Sequence, residues 1–130
     1  MEILDLKGRT TVSSEAELDD RLTSVRQGDD GAFILWHEEG GPALWVHVHG
    51  EVAYLHYFPG SRDKHPGHVP TGMAPRGCSE PIRFRVIHRS EEHTIAPPVE
   101  RLVPSAAAYR AAGEFLRDAV LPASISWREL

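Results

Sequence analysis

The stretch Ala32–Phe58 reads AFILWH (32–37), EEGGP (38–42), ALWVHVH (43–49), GE (50–51) and VAYLHYF (52–58). Three runs rich in aromatic and β-branched residues are separated by two turn signals. The Gly40-Gly41-Pro42 group cannot continue a strand, and Gly50 can adopt positive φ in a tight hairpin. The stretch therefore predicts a three-stranded antiparallel meander, and the rest of the chain must cover one of its faces.

The alternation inside the meander indicates which face is covered. In the second run an aliphatic set alternates with an aromatic and imidazole set. The aliphatic set is Leu44, Val46 and Val48, and the other set is Trp45, His47 and His49. Successive side chains of a strand point to opposite faces, so we expect the aliphatic face to lie on the core, under helices. The third run is apolar on both sides, which is typical of a strand inside its sheet.

Two helices are predicted, one before and one after the meander in the sequence. Ser13 or Ser14 can cap the first helix, and Glu17 follows Ser14 at the spacing of a capping box. An apolar stripe follows at Leu18, Leu22 and Val25. A second helix is predicted over 106–118, where small residues allow close approach to a sheet. Short strands are predicted at 1–6, as an edge strand, at 82–88, where the alternation turns Ile82, Phe84 and Val86 inward, and at 123–127. The fold class is therefore α+β: a mainly antiparallel sheet of about five to six strands, with two helices packed on one face.

A long Pro/Gly-rich loop is predicted at 59–81, within a single domain spanning 1–130. Repeated Pro and Gly exclude a helix or a central strand from this segment. A loop of this length is usually either functional or a mobile insertion, and we favour the mobile insertion.

Composition sets the class of protein. The chain has 130 residues, is 41% hydrophobic and 25% charged, and carries a formal net charge of −5, so it is globular and mildly acidic. This charge argues against sequence-independent nucleic-acid binding; it suits a basic protein partner or simply a soluble surface. No apolar run approaches the roughly 18 residues of a membrane span, and Met1–Asp5 lacks the features of a signal peptide. The lone Cys78 suits a reducing cytoplasm.

No catalytic residue is predicted. Cys78 has no neighbouring base in the sequence, and motifs for nucleophilic catalysis or phosphate binding are missing. Of the eight histidines, His47 and His49 share a strand face, so a metal site of His47, His49 and His56 is the alternative to a binding surface. The segment from Gly41 to His49 resembles the opening of the cupin metal motif, but Glu51 comes too early for that family's glutamate. We therefore expect neither a metal nor a cofactor.

The order of motifs along nearly the whole chain resembles the Imm1 immunity proteins of bacterial polymorphic toxin systems. The motifs are the acidic helix begun by Ser14-Glu15-Ala16-Glu17-Leu18, the turn Gly40-Gly41-Pro42-Ala43-Leu44, the strand Tyr54-Leu55-His56-Tyr57-Phe58, the helix end Glu114-Phe115-Leu116, Leu121-Pro122 and the closing Trp127.

The resemblance implies a single immunity-protein-like domain that binds a cognate toxin domain, a nucleic-acid deaminase or nuclease in several systems, and that is an inhibitor rather than an enzyme. Such toxins bind polyanions and tend to be basic, so an acidic inhibitor would be steered towards them. The residues expected to contact the partner are Glu38, Glu39, His47, His49 and Glu51. The chain is expected to be a cytoplasmic monomer or weak homodimer; a self-associating module that uses an exposed sheet edge is a further alternative.

Overall fold

The computed structural model describes residues 1–26, 30–60, 65–87 and 94–130. The strands within these ranges are β1 (Glu2–Asp5), β2 (Gly8–Thr11), β3 (Gly31–Trp36), β4 (Ala43–His49), β5 (Val52–Phe58), β6 (His68–Pro70), β7 (Phe84–Arg85), β8 (Thr94–Ile95), β9 (Leu102–Pro104) and β10 (Trp127–Glu129). The helices are α1 (Glu15–Arg26) and α2 (Ser105–Asp118), and Val99–Arg101 forms a 3₁₀ turn.

The main sheet is antiparallel, with the strand order β10-β6-β5-β4-β3-β1-β2. Strand β9 pairs with the first half of β5, so the sheet has eight strands, while β7 and β8 form a separate two-stranded ladder. The predicted α+β class and the antiparallel sheet are confirmed. The sheet exceeds the five to six strands expected because short strands at β2, β6 and β9 extend it.

The meander predicted from 32–58 forms β3, β4 and β5. Trp36 pairs with Ala43 across the first turn and His49 pairs with Val52 across the second, where Gly50 has a φ of 61°. Strand β5 lies inside the sheet, between β4 and the pair β6 and β9, as predicted.

Both helices cover one face of the sheet, as predicted, and the core lies between them and the meander. At the start of α1 the Glu17 amide donates to Ser14 Oγ at 3.2 Å, which confirms the predicted cap. The side chain of Val25 lies outside the described residues. The fully buried aliphatic side chains of the meander, Leu44, Val46 and Val48, pack in one cluster with residues of α1 and α2. The helix residues of this cluster are Leu18, Leu22, Ala108, Ala111, Ala112 and Phe115.

Two local predictions are corrected. The predicted edge strand at 1–6 is an inner strand, β1, because the segment after its turn forms β2 and takes the edge position. The exclusion of a central strand from 59–81 is wrong for His68–Pro70, which pairs with β5 and β10. The Thr71 amide donates to the Ser126 carbonyl oxygen on the β10 side, so the amide position of Pro70 faces β5, which pairs with this strand through His68. No hydrogen bond of the sheet is therefore lost at Pro70.

The remaining strands are shorter than predicted. Only Phe84–Arg85 is paired within 82–87, and the last strand is Trp127–Glu129 rather than 123–127. Phe84 and Val86 are buried, as their alternation predicted. His88, the end of the predicted strand, lies outside the described residues, as does 61–64 of the predicted loop. In the described part of the chain, neither helix is long and apolar enough to cross a membrane.

Candidate functional site

The candidate site lies on the outer face of the sheet, the face turned away from α1 and α2. The predicted alternation is confirmed there, because His47 pairs with Tyr54 and Trp45 pairs with His56 across β4 and β5. All four rings therefore project from this one face.

His47 is on the predicted face but not at the surface. It is 2% exposed, its ring stacks on that of Tyr54 with centroids 5.8 Å apart, and its Nδ1 lies 3.2 Å from the Arg85 carbonyl oxygen. Because burial removes the hydration of an imidazolium, it lowers the pKa of His47 from 6.5 to about 4. The ring is therefore neutral at pH 7 and donates Nδ1–H to the carbonyl. Because it is buried, His47 does not offer the partner contact that was predicted for it.

The cover over His47 is the segment 82–87. Strand β7 packs on β3 and β4, and Phe84 forms a second apolar cluster with Tyr54, Leu102 and Val69. The alternation of this segment identified the inward residues. It carried no information on which face of which sheet they would cover, so the burial of His47 was not predictable.

The three histidines of the alternative metal site do not converge on one point. His49 Nδ1 pairs with Asp30 Oδ1 at 2.5 Å, and His56 Nε2 donates to the Pro66 carbonyl at 2.7 Å. Burial also lowers the pKa of His56. Each ring thus bonds a different protein group, and across the described ranges no group of three His, Cys, Asp or Glu residues is placed to hold a metal ion.

The other predicted contact residues are exposed and fall into two groups. Glu38 and Glu39 occupy the turn between β3 and β4, whereas His49 and Glu51 lie at the turn between β4 and β5. The seven residues of β4 separate the two turns by about 20 Å. A partner of ordinary interface size could contact both ends of this strand pair.

Beside the first of these turns the outer face presents aromatic rings that sequence reasoning did not assign to a site. Trp36, Trp45 and Phe58 are each partly exposed. The Trp45 and Phe58 centroids are 5.6 Å apart in an edge-to-face arrangement, and His56 stacks on Phe58 at 4.2 Å. Trp45 alternates with His47 and His49, which placed it on this face, but only the cross-strand register brings Phe58 beside it.

Two further depressions are present, one between the helices and one beside the covered part of the outer face. A groove of about 810 Å³ runs between α1 and α2, where Arg117 Nη1 pairs with Glu15 Oε1 across the helices at 2.8 Å. A second, of about 580 Å³, includes Cys78, which packs against the cluster of Phe84 and Tyr54.

A comparison with protein families identifies what this chain is similar to. The family model described as immunity protein Imm1 matches residues 7–129, which is nearly the whole chain and includes every element of the outer face except the first strand. No curated protein matches the chain.

Proposed function

This chain belongs to the Imm1 family of immunity proteins, and on that premise we propose that it binds and neutralises a cognate toxin domain as a stoichiometric inhibitor. The observation that carries the proposal is the family match over 7–129. An inhibitor of this kind acts by occupying the toxin, so it needs a stable surface and no reaction centre of its own.

The proposed toxin acts on nucleic acid, as a deaminase or a nuclease. An enzyme of that class needs a basic cleft to hold a polyanion. The net charge of −5 gives this chain a field that would attract such a cleft and repel nucleic acid itself. We place the encounter in the cytoplasm of the producing cell, with the inhibitor as a monomer or weak homodimer.

For the contact surface we retain Glu38, Glu39, His49 and Glu51, which are exposed at the two turns of the meander. His47 is withdrawn from the set because it is buried under 82–87. The alternative function, a cupin-like metal-binding domain, gains no support from the separate partners of His47, His49 and His56.

The proposal is tested by pairing this protein with the candidate toxin domain encoded by the neighbouring gene. We expect co-expression to restore growth to cells that express the toxin, and titration calorimetry of the purified proteins to give a 1:1 complex. A toxin that kills equally well with and without this protein, and that shows no binding heat, would contradict the proposed function.

Reversing two charges at one turn tests the electrostatic part. We expect Glu38→Lys with Glu39→Lys to raise the dissociation constant for the toxin domain about tenfold, mainly through slower association, because rim charges steer the encounter. Surface plasmon resonance at two salt concentrations measures both rates.

The matched control is Asp20→Lys with Asp118→Lys, which makes the same change in net charge at two exposed positions on the helices. The control should bind nearly as tightly as the original protein, and thermal unfolding should be similar for both variants. If both double variants weaken binding equally, net charge rather than the 38–39 turn steers the encounter.

A further inference from the structure

The outer face of the sheet is divided into a covered half and an open half. The segment 82–87 covers the half around His47 and Tyr54, where Phe84 is fully buried. The other half is formed by paired positions on β1, β3, β4 and β5. These residues, here called the aromatic half-face, are Leu4, Ile34, Trp36, Trp45, His56 and Phe58.

The aromatic half-face is partly exposed at every one of these positions. Its rings are held by one another, since Trp45 and His56 both contact Phe58. A contiguous apolar surface that keeps contact with water is costly on a free protein and is typical of an interface. Large aromatic side chains that are already fixed lose little conformational entropy when a partner covers them.

The edge of the aromatic half-face shows which chemistry it accepts. The Arg9 guanidinium carbon lies 5.1 Å from the Trp36 ring centroid. Arg9 Nε is 3.3 Å from Glu2 Oε2, and Arg9 Nη1 is 3.9 Å from Glu39 Oε1. A cation over an indole and between two carboxylates is held by the ring quadrupole and by charge. The Arg9 side chain is 55% exposed, and exposed ion pairs of this kind are weak, so it can be displaced by a cation from outside.

We propose that the aromatic half-face is the docking surface for the toxin domain, and that it receives an arginine- or lysine-bearing segment of that basic partner. The incoming cation takes the place of Arg9 over Trp36, between Glu2 and Glu39, while apolar parts of the segment cover Trp45 and Phe58. The inference rests on the proposed function, since it names the surface by which the inhibitor holds its target. The half-face adjoins the turn that carries Glu38 and Glu39, whereas the covered half around His47 and Tyr54 lies between it and the turn at His49 and Glu51.

The test measures toxin binding by variants of the half-face with calorimetry. We expect Trp45→Ala to raise the dissociation constant by roughly thirtyfold, as removal of a central aromatic anchor does. The control is Val120→Ala, a truncation at a residue that is 56% exposed just beyond α2, and it should bind like the original protein. If the original protein binds the toxin and Trp45→Ala binds equally well, the half-face is not the interface, although the proposed function stands. If the original protein does not bind, the proposed function itself fails.

A second variant does not depend on the packing of Trp45. Arg9→Ala frees the Trp36 ring and its two carboxylates, so we expect the toxin to bind about threefold more tightly, and more so at low salt. Weaker binding by Arg9→Ala would overturn the displacement of Arg9.

Sedimentation velocity of the free protein tests whether a second copy of this chain, rather than the toxin, covers the aromatic half-face. A dimer that Trp45→Ala converts to monomers, with toxin binding unchanged, would also overturn the proposal.

Discussion

Gly67→Ala is expected to lower the free energy of unfolding by about 3 kcal/mol, from a change of one methyl group. Gly67 has a φ of 91°, a conformation that L side chains rarely adopt, and an added Cβ would lie 2.6 Å from both His56 Nε2 and the Tyr57 carbonyl oxygen. The Tyr57 carbonyl is backbone inside the sheet and cannot move aside. The Gly67 carbonyl also accepts from the Leu130 amide at 2.9 Å, so relieving the collision would disturb the pairing of β5, β6 and β10. Urea denaturation followed by circular dichroism measures the loss.

Gly72→Ala separates the two causes of that loss. Gly72 has a φ of 71° and no atom within 4 Å of an added Cβ, so only backbone strain remains, and we expect a cost of about 1 kcal/mol. Equal losses in the two variants would mean that the space beside Gly67 opens without cost and that the close approach to β5 has no role in stability.

The strand at His68–Pro70 illustrates what local sequence signals cannot supply. Pro and Gly correctly marked 59–81 as unsuited to a long strand, but three residues suffice for β6 because its pairing is with distant segments. Tyr57 pairs with His68 on one side, and Trp127 pairs with Pro70 on the other. Periodicity reports how a segment is buried and not what it is buried against, so β6 and its place in the sheet were not predictable.

The meander and the helices were predictable for the opposite reason. Consecutive hairpins make local contacts, and the alternation at Leu44, Val46 and Val48 names the core face without further information. The helix signals at Ser14 and Glu17 are likewise local, and the observed cap agrees with them. These local signals did not predict which part of the outer face is covered and which part is exposed. That face became a candidate surface only when the register placed Phe58 near Trp45 and the segment 82–87 covered His47 but not Trp36.

The family match and the surface carry different parts of the functional argument. Membership in the Imm1 family supports inhibition of a toxin, and it says nothing about which side of this chain makes the contact. The charges and the partly exposed rings of the outer face suggest a side, because they combine apolar area with carboxylates that a basic partner would need. The experiments on Trp45 and on Glu38 with Glu39 therefore test the surface separately from the function.

Stability is expected to fall by about 3 kcal/mol as the pH is lowered from above 6.5 to about 4, and the cause is His47. Burial lowers the pKa of His47 to about 4 in the folded protein, against 6.5 when the ring is exposed. Below pH 6.5 the unfolded chain therefore binds a proton that the folded protein does not, and unfolding becomes easier. The free energy of unfolding does not depend on His47 well above pH 6.5. It falls by about 1.4 kcal/mol per pH unit between the two pKa values, and His47 changes it no further well below pH 4. Denaturant unfolding at a series of pH values measures this slope.

His47→Gln isolates the effect, because a glutamine amide can donate to the Arg85 carbonyl as the His47 Nδ1–H does but does not titrate. The pKa of His56 is lowered as well, by burial, so the original protein carries the pH dependence of both rings. The difference between the two proteins removes the part due to His56. The pKa of Glu2 is lowered by its bonds to Arg9 and Thr11, and since both proteins carry Glu2, the same difference removes its part. If His47→Gln loses stability between pH 6.5 and 4.5 as steeply as the original protein, the His47 ring takes up its proton in the folded state, and the cover formed by 82–87 does not exclude water from it.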